Sequence, residues 1–364
     1  MNAHRTASVS LPLVLAGIAA LVLWAVTAIA ASAESAPDVP RGIDAAQLER
    51  MFERAPSLGP VHAIVVSRDG VERAAHAFAG PGLDRPANIK SVAKTVQSAL
   101  VGIAIERGVI DDTRQPIVEL LGNRVPGDAD PRLATVTVDH LLSMRAGLES
   151  TSGANYGRWV QSDDWVRHVL TRRFVRDPGE RMQYSTGTWH VLSAILAGRT
   201  GRTTHALAHE WLAEPLGIAI PPWPRDPQGI HFGGNDMLMS PRDLRRFGEL
   251  YLARGRYNGT EVLPAGWVDR SWQPRVRSPW SNHDYGWGWF TTELSGARAW
   301  YGRGYGGQLL HVVPELGIVV VITSRPTPPS AGGSYVRALH ALVADHVIAG
   351  ARACDRGTAA GECR

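Results

Sequence analysis

A chain of 364 residues with 44% hydrophobic and 20% charged residues can bury a large core, which excludes a disordered protein. The net charge of +4 comes from scattered arginines, and the absence of any basic run argues against a nucleic-acid partner. At the N-terminus, Arg5, the uncharged apolar stretch from Leu11 to Ala30, and Ala31-Ser32-Ala33 before Glu34 read as a signal peptide over residues 1–33. The apolar stretch is about 20 residues, long enough to span a bilayer, so an uncleaved anchor is the alternative. Either way the body is expected outside the cytoplasm, periplasmic or secreted, with membrane contact only where the segment stays uncleaved.

Residues 34–44 read as an Ala/Pro-rich linker, followed by a short helix around Ala45 to Arg54. Val61 to Ser67, a turn at Arg68-Asp69-Gly70, and Val71 to Ala79 read as strand, turn and strand. After a Pro/Gly loop over 80–88, apolar residues at Val92, Val96, Ala99, Leu100, Ile103 and Ala104 predict a buried helix from Ser91 to Arg107. From about Asp111 to Trp280 the signals are mostly helical: Val136 to a stop at Gly147, His190 to Ala197, Thr204 to Leu216, and Pro241 to Leu252. A Ser/Gly-rich loop occupies 150–157. Strands return at Tyr285 to Thr292, Ala297 to Tyr301, Gln308 to Val313 and Gly317 to Ser324, and Ala331 to Ile348 reads as a closing helix. Strands at both ends around a helical middle predict an α+β fold: one antiparallel sheet built from both termini, flanked by helices, with an inserted helical region at about 111–280. The body spans 45–348. The tail, 349–364, carries both cysteines, Cys354 and Cys363, which read as a tail disulfide or as two free thiols.

The head of the Ser91 helix carries the chemistry. Ser91-Val92-Ala93-Lys94 puts a hydroxyl in the first turn and an amine three residues on, on the same face. A serine becomes nucleophilic when a base takes its proton, and a lysine is such a base when burial or a cation lowers its affinity for protons. The chain has only two lysines, Lys90 and Lys94, among its 38 cationic residues. Arginine cannot be deprotonated and could not substitute at Lys94. A serine N-cap that falls near a lysine by chance is the plainer reading of this motif alone.

Two further segments follow in order: Pro178-Gly179 through Tyr184-Ser185-Thr186 ahead of a helix, and Gly304-Tyr305-Gly306-Gly307-Gln308 at a strand start. With these, the chain resembles the serine β-lactamase and penicillin-binding-protein superfamily, within it the class C-like esterases and amidases that include 6-aminohexanoate-dimer hydrolase. The resemblance covers residues 45 to 348 and implies a β-lactamase/transpeptidase-like fold. It implies Ser91 as acylated nucleophile, Lys94 as its proton acceptor or electrostatic activator, and Tyr184 as proton shuttle. It also implies an oxyanion hole from the backbone N–H groups of Ser91 and Gln308.

The chain departs from the superfamily pattern twice. Thr186 stands where Asn is usual, so a substrate-amide contact is lost or made by a hydroxyl. Tyr305-Gly306-Gly307 replaces Lys-Thr-Gly, removing a cation that binds a substrate carboxylate in penicillin-recognising members. Tyr305 suits an uncharged acyl chain, and Gly306 and Gly307 are expected to admit substrate close to the strand. Tyr156, in the loop Ser150 to Trp165, is a candidate site-covering residue, whereas Gly233-Gly234-Asn235-Asp236, ahead of a helix, reads first as a plain turn and alternatively as a pocket wall. His205 and His209 do not form a zinc motif because Glu210 is misplaced, and no Gly-x-Ser-x-Gly elbow occurs. The expectation is an exported esterase or amidase acting on a small molecule, with no metal or cofactor. The alternatives are a non-catalytic cell-wall or ligand-binding module on the same scaffold and a D-Ala-D-Ala peptidase.

Overall fold

The computed structural model describes residues 41–327, 332–357 and 363. The expected leader and most of the expected linker lie outside them. Among the described residues no helix is long and apolar enough to cross a membrane.

Helix α1 (Ala45–Leu58) starts at Asp44, whose carboxylate accepts the Gln47 amide at 2.9 Å and satisfies one of the orphan donors of the first turn. Strands β1 (Val61–Arg68) and β2 (Val71–Ala77) form a hairpin. Helix α2 (Ala93–Glu106) follows, buried at every position from Ala93 to Ala104, as an all-round apolar helix must be. Helices α3 (Thr186–Thr200) and α4 (Pro241–Leu252) belong to the inserted region. The late strands are β3 (Val276–Arg277), β4 (Asp284–Tyr285), β5 (Phe290–Leu294), β6 (Ala297–Gly304), β7 (Gln308–Val313) and β8 (Ile318–Ser324). Helix α5 (Gly332–Leu342) opens the C-terminal helical run, which continues through Val343–Ile348 to Ala349–Asp355.

The described strands form an eight-stranded sheet in the order β2-β1-β8-β7-β6-β5-β4-β3, with antiparallel pairing throughout. Strands from the two ends of the chain meet at its second and third positions, where Ile64, Val65 and Val66 pair with Ile322, Val321 and Val320. Every residue of β8 is buried, so it reads as a continuous apolar run rather than an alternation. Helix α4 packs on β1, β7 and β8, while α1 packs on β1 and the C-terminal helices.

One buried cation staples the two chain ends. Arg68, 0% exposed on β1, donates to the carbonyls of Gly42, Leu316 and Ala351 and pairs with both carboxylate oxygens of Asp355, at 2.7 and 2.6 Å. The adjacent Cys354 is disulfide-bonded to Cys363. Asp355→Ala leaves the guanidinium buried without its counter-charge and is expected to cost about 3 kcal/mol of stability, seen as a lowered urea midpoint with unchanged slope.

The structure departs from the predicted elements in three places that matter to the site. The helix expected over Val136 to Gly147 spans only Val138–Leu142: Met144 turns to φ 61°, and its carbonyl accepts the Gln183 amide at 2.8 Å. The strand expected over Tyr285 to Thr292 is split between β4 and β5, because Trp287 N–H donates to Ser271 O and Gly288 is at φ 86°. The loop over 150–157 contains a short helical turn, Gly153–Asn155, leading into the helix Tyr156–Val160. The first two departures follow from backbone hydrogen bonds that local periodicity does not encode.

Candidate active site

Ser91 sits in a single 3₁₀ turn, Lys90–Val92, that feeds directly into α2. Lys94 lies in the first turn of α2 and is 2% exposed. Its Nζ is 3.0 Å from Ser91 Oγ and donates to Gly234 O at 2.7 Å. Burial lowers the Lys94 pKa below the ordinary lysine value, against the opposing pull of Tyr184 and Asp236. A lysine so placed can present a lone pair to the serine hydroxyl. The Tyr184 ring centre is 5.2 Å from the same nitrogen. The carbonyl of Tyr184 accepts the Ser150 hydroxyl at 2.6 Å, and Ser185 Oγ is 2.9 Å from Thr151 Oγ1, so the tyrosine segment is pinned to the 150–152 loop. Ser91, Lys94 and Tyr184 are thus brought together from two distant parts of the chain.

The β6–β7 hairpin closes another side. Gly304 pairs with Gln308. A Cβ on Gly304 would lie 2.5 Å from Ile89 O and 3.0 Å from Lys90 Cβ, so the end of β6 abuts the residues just before Ser91. Gln308 is 1% exposed, and its side-chain amide is spent on Ser324: Nε2 donates to Ser324 O at 2.8 Å and Oε1 accepts Ser324 N at 2.9 Å. This locks the start of β7 to the end of β8. Tyr305, at the hairpin tip, is 47% exposed.

The expectation that Gly306 and Gly307 leave room for substrate needs correction. A Cβ on Gly306 would meet Arg325 O at 2.5 Å, and one on Gly307 would meet the Tyr335 ring at 2.5 Å, with φ of 82° and 98°. Their space is filled by the protein itself, and the positive φ values turn the hairpin. Thr186 is buried, with its hydroxyl 3.0 Å from Ser152 Oγ and its amide donating to the same oxygen. The hydroxyl at the position of the usual Asn is therefore engaged by the 150–152 loop.

Gly233–Asp236 is more than the plain turn its composition suggests. Gly234 supplies the carbonyl that holds Lys94, and Asp236 Oδ1 accepts from Lys90 Nζ at 2.6 Å and from Asn88 Nδ2 at 2.8 Å. The turn is held from behind by His190 on α3. Its Nδ1 accepts Gly233 N–H at 3.2 Å, which places the proton on Nε2, 2.8 Å from the Asp226 carboxylate. Tyr156 joins the same wall, its hydroxyl accepting from Asn235 Nδ2 at 3.2 Å while its ring stacks on Phe232. Burial and then Asp236 push its phenol up to about 12, so Tyr156 stays protonated. Trp280, 68% exposed, stands edge-on to Tyr184 with ring centres 6.1 Å apart. Trp280 was not singled out by sequence, where it carries no motif, and Asp236 entered there only as the last residue of the Gly233–Asp236 turn. The two histidines read as non-metal make ordinary contacts: His205 Nε2 is 2.9 Å from Ile220 O, and His209 pairs with Glu214.

With this geometry in hand, comparison with known proteins is decisive: a model of the beta-lactamase family matches residues 59–345. The chain belongs to the beta-lactamase family. Its fold is similar to that of a candidate 6-aminohexanoate-dimer hydrolase from Bacillus anthracis, at 20% identity and a TM-score of 0.67, covering 85% of this chain and 82% of the other. It is also similar to an octameric penicillin-binding protein homologue from Pyrococcus abyssi (18% identity, TM-score 0.65, 84% and 77% covered). A D-stereospecific amidohydrolase from Streptomyces sp. gives 20% identity and a TM-score of 0.62, with 81% and 98% covered. A search of curated proteins gives no match. For this member of the beta-lactamase family, the segments around Ser91, Tyr184 and Gly304 converge on one place.

Proposed function

We propose that this protein is an exported serine hydrolase that cleaves esters or amides of uncharged acyl groups through an acyl-enzyme on Ser91. The observation that carries this reading is the 3.0 Å approach of the buried Lys94 amine to Ser91 Oγ. Neutral Lys94 takes the hydroxyl proton as Oγ attacks the carbonyl carbon, and the oxyanion is held by the N–H groups of Ser91 and Gln308. The proton passes through Lys94 and Tyr184 to the leaving oxygen or nitrogen, the old acyl bond breaks, and water then cleaves the new ester by the reverse path. Tyr305 and the exposed Trp280 flank the site with aromatic surface in place of a cation, which supports an uncharged acyl chain over a carboxylate-bearing peptide. The apolar leader supports export, and the paired cysteines agree with an oxidising compartment.

The test is intact-protein mass after exposure to p-nitrophenyl butyrate, with Ser91→Ala alongside. An added butyryl group and p-nitrophenol release in the wild type alone are expected. The engaged Thr186 hydroxyl favours one competing reading, a binding module without turnover. That reading predicts no adduct with any acyl length, whereas release of D-alanine from a cell-wall pentapeptide would point to a peptidase.

A further inference from the structure

Both lysines of this chain are at the site, and they meet different partners. Lys94 has Ser91 and a carbonyl. Lys90, one residue before the nucleophile, has the Asp236 carboxylate at 2.6 Å, with its side chain 21% exposed and that of Asp236 16% exposed. From this contrast we propose that Lys90 and Asp236 are a positioning pair. Asp236 fixes the Gly233–Asp236 turn to the nucleophile segment, and Lys90 neutralises it so that Lys94 is left uncharged to serve as base. The inference rests on the reading of Ser91 and Lys94 as nucleophile and base.

Three observations support it. The first is how fully the carboxylate is committed: Oδ1 takes Lys90 Nζ and Asn88 Nδ2, and Oδ2 takes Asn235 Nδ2 at 3.2 Å. The second is backbone geometry. Lys90 and Asp236 are both non-glycine residues in the left-handed region, at φ 48° and 53°. Such conformations persist where surrounding contacts over-determine them and cluster at functional sites. Here Lys90 N–H donates to Asn88 Oδ1 at 2.9 Å, and the strand pair Ala87–Asn88 with Leu238–Met239 ties the two segments on the far side. The third is proximity: Asp236 lies two residues beyond the carbonyl that Lys94 holds. An uncompensated carboxylate there would stabilise Lys94 as an ammonium, which has no lone pair to give. Paired with an ammonium it becomes a dipole, whose field at Lys94 is much weaker.

The other titratable groups facing Lys94 are the Tyr184 phenol from the segment before α3 and, behind it, the buried Tyr285 phenol on β4. Tyr156 approaches through Asn235, and the His190–Asp226 pair stands behind Gly233. Among the described residues none of these is hydrogen-bonded or ion-paired to Lys90, so altering Lys90 addresses the Asp236 charge.

A chain with two lysines permits a direct test. The full-length protein, labelled with ¹³C-lysine, gives two side-chain signals to follow by NMR as pH changes, and Lys90→Met assigns them. Asp236→Asn should move the Lys94 midpoint down by about one unit, and Lys90→Met should move it up by about one unit. Lys90→Arg, which keeps the charge, should leave it near wild type, and the Asp236→Asn/Lys90→Met double variant should bring it back toward wild type. The acid limb of acylation by p-nitrophenyl butyrate should follow these midpoints. Lys90→Gln replaces Lys90→Met if the latter does not fold. Midpoints that stay put in both single variants, or that move in the same direction, would overturn the proposal and leave the pair a structural tie. Failure of the underlying reading shows separately, as a wild-type protein that never gains an acyl group on Ser91 whatever its lysines do.

Discussion

Lys94→Met is expected to lower kcat/KM for p-nitrophenyl butyrate by about 10³-fold, the scale of a lost general base that also orients its nucleophile. The side chain is 2% exposed and reaches both Ser91 Oγ and Gly234 O, so the amine has two jobs and methionine does neither. Lys94→Arg should fare no better despite keeping a cation, because a guanidinium has no proton to lose at working pH. The pH profile separates this from simple misfolding. In the wild type, activity should fall on the acid side as Lys94 takes up a proton, with the limb below the ordinary lysine value because burial disfavours the ammonium. In Lys94→Met that limb should vanish and the residual rate should rise with hydroxide. Stopped-flow release of p-nitrophenol across pH checks both. A retained limb at the same midpoint would assign the proton to another group.

Strands β1 and β8 were legible because they are β-branched runs, and their burial on both faces removes the ambiguity of alternation, whereas the two-residue β3 carries no such signal. Helix α4 was legible to the residue, since Ser240 accepts the Asp243 amide and Pro241 stands at the first helical position. The Ser91–Lys94 contact was visible for a different reason: the two are close neighbours at the head of one helix, and three-residue spacing encodes that contact. What sequence hid were partners far away in the chain. Nothing near Lys90 announces that Asp236, 146 residues later, will neutralise it. Gly306 and Gly307 misled for the same reason, as the Tyr335 ring and the Arg325 carbonyl that exclude a side chain arrive from β8 and the helix after it. Met144 ends a helix early because a backbone partner at Gln183 claims its carbonyl. In each case a local pattern was read correctly as a pattern and then overridden by tertiary contact.

The same logic of long-range burial predicts marked acid sensitivity. His311 on β7 and His340 on α5 are hydrogen-bonded to each other at 2.9 Å, Nε2 to Nδ1, beneath Tyr301 and beside His283. Their remaining ring nitrogens, His311 Nδ1 and His340 Nε2, are buried without a partner among the described residues. Burial holds the His311 pKa at about 3, and burial together with His311, His283 and Arg303 holds that of His340 at about 2. Unfolded, both titrate near the ordinary value of about 6.5. Above that pH neither state is protonated and their contribution to stability is complete. As pH falls below it, the unfolded chain gains protons that the folded one refuses, so stability is lost progressively until the folded pKa values are reached. Each histidine contributes a slope of up to about 1.4 kcal/mol per pH unit, so the pair removes up to about 5 kcal/mol between pH 6.5 and 4.5. That is comparable with the whole stability of many domains. Carboxylates titrate mainly below this window, so histidines dominate it, with His231, held at about 4, adding a smaller share. Urea midpoints at pH 7.5, 6.0 and 5.0 should therefore fall steeply in the wild type and distinctly less in His311→Leu/His340→Leu, which fills the site without a titratable ring. An equal slope in the two proteins would mean that the pair takes up protons in the folded state as readily as in the unfolded one.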